Sequence, residues 1–317
     1  MRNSATLLAI GLLLVVPLAA PPYLLHIATF IAIYTLPVIG LGFLTGFTNR
    51  ISLAQGAIFG LGAYTTALLT TKCGWSPAAT FIPSILVAVV VATILAGPAM
   101  RLAGLYFVMA TIAIHQIVWI LLMNWIDLTN GPQGVRSIPP LGIGSLNLDS
   151  PLAFYYAAFA AALVSFALAR RILASRLGLQ LRALSEDELA SAMSGVPVVR
   201  AKVTALALSA AWAGAGGFLY AHYIRFVHPD MFTLEPSILF LTMAMFGGYR
   251  SLIGMVIATA VLESATEYLR PFGEFRMIAY GLILMLGMMF FPKGILTISP
   301  AALSRWLAGA RPAARKA

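Results

Sequence analysis

Charge is scarce in this chain of 317 residues: 9% are Asp, Glu, Lys or Arg, against about 25% in an average soluble domain. With 61% hydrophobic residues and a mean hydropathy of +0.93, it cannot cover its own surface with polar groups, which excludes a soluble globular domain. The ten acidic residues are too dispersed to build a carboxylate metal site. Cys73 is the sole cysteine, so an intrachain disulfide and a cysteine metal cluster are both excluded. No G-x-x-x-x-G-K-[ST] phosphate loop occurs, so the chain does not bind ATP in that way. H-E-x-x-H and G-x-S-x-G are absent too, which leaves a membrane-embedded enzyme without a catalytic constellation.

What the chain does have is a succession of long apolar runs. A helix needs roughly 20 apolar residues to cross a hydrocarbon core of ~30 Å. Hydropathy places candidate spans near 5–21, 24–45, 51–71, 78–97, 104–126, 152–169, 202–221, 237–248, 251–269 and 277–292. The eighth is short and is expected to be tilted, broken or re-entrant. Pro21 and Pro22 interrupt any cleavage site after the first run, so it reads as a retained helix. The fold class is therefore an all-α polytopic membrane protein of about ten transmembrane helices.

With the amino terminus inside, fifteen of the twenty basic residues fall on the inner face and five on the outer: Lys72, Arg136, Arg225, Arg270 and Arg276. The positive-inside rule fixes this orientation. The net charge of +10 is then a topology signal, not a footprint for nucleic acid. A permease domain over 1–303 and a basic cytoplasmic tail over 304–317 follow, with both termini cytoplasmic. Residues 170–202 become the longest inner connection and 127–151 the longest outer one.

The inner connection carries "RALSEDELASAMSGVPVVRAK", residues 182–202, with three of the ten acidic residues. Ser185 and Glu188 have the spacing of a capping box, and Leu184 and Leu189 that of a hydrophobic staple. Glu186 and Asp187 favour the helix N-terminus, Gly195 suits a stop and Pro197 forbids continuation. A free-standing helix is expected over 186–194. Leu189, Ala192, Met193 and Val196 recur at i, i+3, i+4 and i+7. So short a helix is marginal in water. It either lies on its own membrane domain or docks on a partner.

The stretch "LGLQLRALSEDELASAMSGVPVVRAKVTALALSAAWAGAGGFLYA" resembles the M-type permease of branched-chain amino-acid ABC importers. Glu188, Ala190, Gly195 and Lys202 match that family's pattern, while Asp187 stands for the usual Asn and Ser191 for Ala. "ISLAQGAIFGLGAYTTALL", "RLAGLYFVMATIA", "LTNGPQG", "MFGGYRSLIG", "EYLR" and "FFPKGIL" extend the resemblance over nearly the whole chain. The departures are Asn49-Arg50 for Gly-Gln, Ala54-Gln55 for Gly-His, Asn130 for Gly and Thr266 for Pro.

The resemblance implies a type II ABC importer-like bundle in the bacterial inner membrane, with a short cytoplasmic coupling segment over 171–201. It assigns docking in a cleft of the ATPase to residues 185–196, on Ser185, Glu186, Asp187, Glu188, Leu189, Ala190, Met193 and Gly195. It also implies a homologous second permease subunit, two ATPases holding ATP and Mg, and an extracytoplasmic substrate-binding protein. The chain itself holds no cofactor. Loop 127–140 either meets that binding protein or is a plain cap. Urea, short amides and small carboxylates remain open as substrates.

Small residues recur every fourth position in span seven (Ala201, Ala205, Ser209, Ala213, Gly217, Ala221) and every third or fourth in span three (Gly56, Gly60, Ala63, Ala67), which predicts close helix packing. Intramembrane polar residues face a cavity or a partner helix. The candidates for a translocation pathway are Gln55, Tyr64, Thr111, His115, Gln116, Ser209, Trp212 and Thr242. His115 reads equally as an interhelical hydrogen-bonder. Glu263 and Glu267, one turn apart, either snorkel or pair with Arg270, or are the couplers of an ion-driven secondary transporter. Transport that persists with ATP hydrolysis blocked would select that last reading.

Overall fold

The computed structural model describes residues 21–143, 146–269 and 281–282. The expected span at 5–21, nearly all of that at 277–292, Arg270 and the tail at 304–317 lie outside these residues.

The described chain is built of helices α1 (Pro22–Thr48), α2 (Gln55–Thr71), α3 (Phe81–Ala96), α4 (Leu105–Asn124), α5 (Ile126–Thr129) and α6 (Pro151–Leu173). There follow α7 (Arg176–Glu186), α8 (Glu188–Met193), α9 (Val198–Ile224), α10 (Leu234–Gly247) and α11 (Leu252–Tyr268). A two-residue antiparallel hairpin, β1 (Gly142–Ile143) on β2 (Leu146–Asn147), is the departure from the all-α expectation. Among the described residues, five helical stretches are long and apolar enough to cross a membrane: 22–48, 77–96, 105–124, 151–173 and 198–224. The segments α2 and α11 have 17 residues each and α10 has 14, so α10 spans about 21 Å at 1.5 Å per residue. That is the short eighth span expected from hydropathy. Below, the end of the bundle where α1 finishes is the near end, and the end where it starts is the far end.

Helix α9 sits at the centre, packed against α1, α2 and α3. Its small residues are the reason. Ala201, Ala205, Ser209, Ala213, Gly217 and Ala221 are all buried, and two of the glycines bring backbone onto backbone. A Cβ on Gly217 would lie 2.1 Å from the Phe59 carbonyl oxygen, and one on Gly62 would lie 2.5 Å from that of Gly214. With lipid outside, helices gain little from hiding large apolar side chains, so close approach drives association. Helix α3 shows the resulting inversion. Ser84, Ala88, Ala92 and Ala96 face inward, while Ile82, Leu86, Val90 and Ile94 face out.

At the far end, residues 130–143 and 146–150 fold back over the bundle. Val135 and Val227 form a β-bridge, Arg136 lies 5.5 Å over the Phe226 ring, and Arg225 pairs with Asp149. His222 and His228 reach the carbonyls of Pro139 and Pro132 at 2.8 and 2.7 Å. Gly134 has φ +66°, and a Cβ there would meet the Val227 oxygen at 2.5 Å, so only glycine fits. The Gly- and Pro-rich loop is thus a packed cap with Val135, Ile138 and Leu141 buried beneath it.

Replacing Gly217 by Ala forces α2 and α9 apart and is expected to cost about 1–3 kcal/mol. Ile94→Ala, on the outward face, is the control. Thermal unfolding in detergent should lower the midpoint of the first variant and leave the second near wild type; equal midpoints would refute the backbone contact.

Candidate functional site

The polar stretch folds differently from its sequence reading in one respect. Ser185 does not cap α8: it is the penultimate residue of α7, and its hydroxyl donates back to the Arg182 carbonyl at 2.7 Å. The chain breaks at Asp187 (φ −151°, ψ 118°), whose carboxylate accepts from the backbone N–H groups of Leu189 and Ala190 at 2.8 and 3.0 Å. So Asp187 is the N-cap, and the expected helix over 186–194 shortens to 188–193. The stop is as expected. Gly195 takes φ +82°, with Gly195 N–H bonded to Ala192 and Val196 N–H to Ser191, the paired bonds of a Schellman close.

This corner is bound to the bundle by three cations from three other segments. Glu188 accepts from Lys202 Nζ at 2.5 Å and from Arg50 at 3.4 Å. The Lys202 and Arg50 side chains are only 4% and 8% exposed, while Glu188 is half exposed. Arg250 pairs with Glu186 at 2.8 Å and also donates to the backbone oxygens of Ser185 at 3.2 Å and Gly46 at 3.3 Å. Asn49 adds a bond to the Ser185 oxygen at 3.1 Å.

Arg250 is presented by a tight reversal between α10 and α11. A Cβ on Gly254 would lie 1.9 Å from the Gly247 oxygen, and Ser251 caps α11 by accepting from Gly254 N–H at 3.1 Å. Sequence reading missed Asn49, Arg50 and Arg250 as site residues. The signal was present in part. Asn49 and Asn130 each replace a Gly in the family pattern, and both adopt the left-handed backbone (φ 52° and 61°) that Asn tolerates better than most residues.

With Glu188 and Ser191 turned inward, the apolar residues of α8 turn outward. Leu189 is 73% exposed and Met193 85%, with Ala190, Ala192 and Gly195 exposed beside them. The expected stripe therefore does not lie on its own membrane domain.

The pathway candidates fall in several places. Gln55 donates to the oxygens of Pro37 (2.9 Å) and Ser209 (3.3 Å), and Ser209 Oγ donates to Gln55 Oε1 at 3.0 Å. This knot joins α1, α2 and α9. Beside it, Leu53 N–H donates to Thr111 Oγ1 at 3.1 Å, Gly56 N–H to Ser237 Oγ at 2.8 Å, and Ser237 shares a 3.2 Å bond with His115 Nδ1. Gln55, Thr111, His115 and Ser209 thus gather around the start of α2, all fully buried. Gln116 faces out on α4, apart from them. Thr242 bonds within α10, Tyr64 packs on Phe232, and Trp212 lies 5.2 Å from the Phe43 ring. Among the described residues no group of three His, Cys, Asp or Glu could hold a metal.

The family model described as "Branched-chain amino acid transport system / permease component" matches residues 23–292. Two curated relatives are each 31% identical over 300 residues, covering 86% of this chain and 70% of their own length. They are the high-affinity branched-chain amino acid transport system permease proteins LivM of Salmonella typhimurium and Escherichia coli. No solved structure matches.

Removing Glu188 strands two buried cations, whereas removing Glu186 breaks an exposed pair. Glu188→Ala is expected to cost about 1–3 kcal/mol or more, and Glu186→Ala about 0.2–1 kcal/mol. Thermal unfolding of the two variants in detergent should separate them in that order; the reverse order would remove Glu188 as the anchor.

Proposed function

Because the chain belongs to the family of branched-chain amino-acid transport system permease components, we propose that it is the membrane-spanning subunit of an importer for branched-chain or related amino acids. ATP hydrolysis on separate ATPase subunits, which carry the ATP and Mg, drives the transport. Helix α8 is the docking element, and the observation that carries this role is its orientation. A six-residue helix capped at both ends exposes Leu189 and Met193 while its glutamate is tied back to Lys202 and Arg50. An exposed apolar pair on an otherwise charged corner suits a partner's cleft. In this reading Leu189, Ala190 and Met193 meet the ATPase, Asp187 and Gly195 shape the helix, and Ser185, Glu186 and Glu188 anchor it.

The near end is cytoplasmic and the far end external. Among the described residues, Arg50, Arg101, the arginines of α7 and Lys202 share the near end with α8, which supports that sidedness under the positive-inside rule. The assembly has a homologous second permease subunit beside this chain and a substrate-binding protein over the cap formed by residues 130–143 and 146–150. Gln55, Thr111, His115 and Ser209 are proposed as the polar girdle beside the pathway, since these intramembrane polar groups cluster, with Ser237 among them.

The test is a double substitution, Leu189→Glu with Met193→Glu. Both side chains are exposed, so the unfolding midpoint should stay within a degree or two of wild type. Co-purification of the ATPase and ATP-driven uptake should both fall at least tenfold. A variant that retains the ATPase at wild-type stoichiometry would overturn the docking role.

A further inference from the structure

Buried in the middle of α11 is a carboxylate that nothing described so far uses. Glu263 is 8% exposed, its Oε2 has no hydrogen-bond partner, and it forms no ion pair among the described residues. An ionised carboxylate at membrane depth requires a compensating cation, and an intramembrane acid marks a pathway or a ligand site more often than a structural one.

Its surroundings follow from helix register. Helices α1 and α11 run antiparallel in close contact: Tyr249 lies against Gly46, and the Met255 thioether against Gly42. Eight residues back along α1 from Gly42 is Tyr34, and eight residues forward along α11 from Met255 is Glu263. Equal rises of about 12 Å bring them level. The carboxylate is within electrostatic reach of both Tyr34 and Tyr220. Those two rings stack at 6.5 Å, and Tyr34 also packs in T-shaped pairs with Phe240 at 5.2 Å and Phe30 at 5.4 Å. Aromatic faces beside a carboxylate attract an organic ammonium and exclude anions. The site also has an approach. His26, Phe30 and Tyr34, one turn apart on α1, form a part-exposed row from the far end, with centroids 4.8 and 5.4 Å apart.

We propose that Glu263, with the faces of Tyr34 and Tyr220, takes the ammonium group of the transported amino acid during passage, while the Phe30–Tyr34 row offers its aliphatic side chain an apolar wall. This rests on the import reading above and adds a chemical requirement to it: a substrate without a protonated amine loses its main contact. No basic side chain of the described residues competes for the carboxylate. Arg250, on the loop preceding α11, is engaged with Glu186 at the near end.

The experiment uses the whole complex, with its ATPases and binding protein, in proteoliposomes and radiolabelled leucine as the probe. Glu263→Gln keeps size and shape and removes the charge. Leucine uptake should fall at least tenfold with assembly and basal ATP hydrolysis unchanged, and Glu263→Asp should recover part of the loss. Uptake by Glu263→Gln at the wild-type rate overturns the site. Loss of assembly or of basal hydrolysis in Glu263→Gln also overturns it, by making the carboxylate a structural counter-ion. Failure of the unmodified complex to import any amino acid would instead overturn the import reading.

Discussion

A buried lysine organises this protein's charged corner. Lys202 lies in the first turns of a membrane helix with 4% of its side chain exposed, and an ammonium so placed must have a carboxylate within reach. Glu188 is that carboxylate, and Arg50 shares it. Holding Glu188 at α9 fixes α8 in orientation as well as in place, because the helix is too short to lean elsewhere. The outward view of Leu189 and Met193 is the geometric complement of that inward bond. Arg250 then ties the preceding turn to the α10–α11 reversal. A displacement of α8 would therefore be felt at α1, α9 and α11 together.

The body of the bundle obeys a different rule. Away from the corner, polar groups are few and answer one another across helices, as Gln55 does with Ser209 and His115 with Ser237. Lipid offers no alternative partner, so each such pair is also a statement of which helices touch. Among the described residues, Glu263 is a buried carboxylate whose Oε2 has no hydrogen-bond partner.

Much of this was legible from composition and period. Five of the membrane-crossing helices, the small-residue stripe of α9, the short α10 and the glycine stop at 195 each rest on local physics, and among the described residues the structure agrees with them. The N-cap was misplaced because two good capping residues, Ser185 and Asp187, stand two positions apart. The burial of Leu181 and Leu184 carries α7 through the first of them, and no local rule reports that burial. The ion pairs were out of reach for a related reason. Arg50 and Glu188 are 138 residues apart and Gln55 and Ser209 are 154 apart, so only the folded chain introduces them. The inward turn of Glu188 also could not be read from a motif match, which names a residue without saying which way it points.

The glycine contacts between α2 and α9 have a mechanical consequence. Where a Cβ would stand 2.1 Å from the neighbouring peptide oxygen, the two backbones mesh with no slack for one to slide along the other. They form a keystone that must swing as one piece. Whatever deformation a working cycle demands is then left to the rest of the bundle.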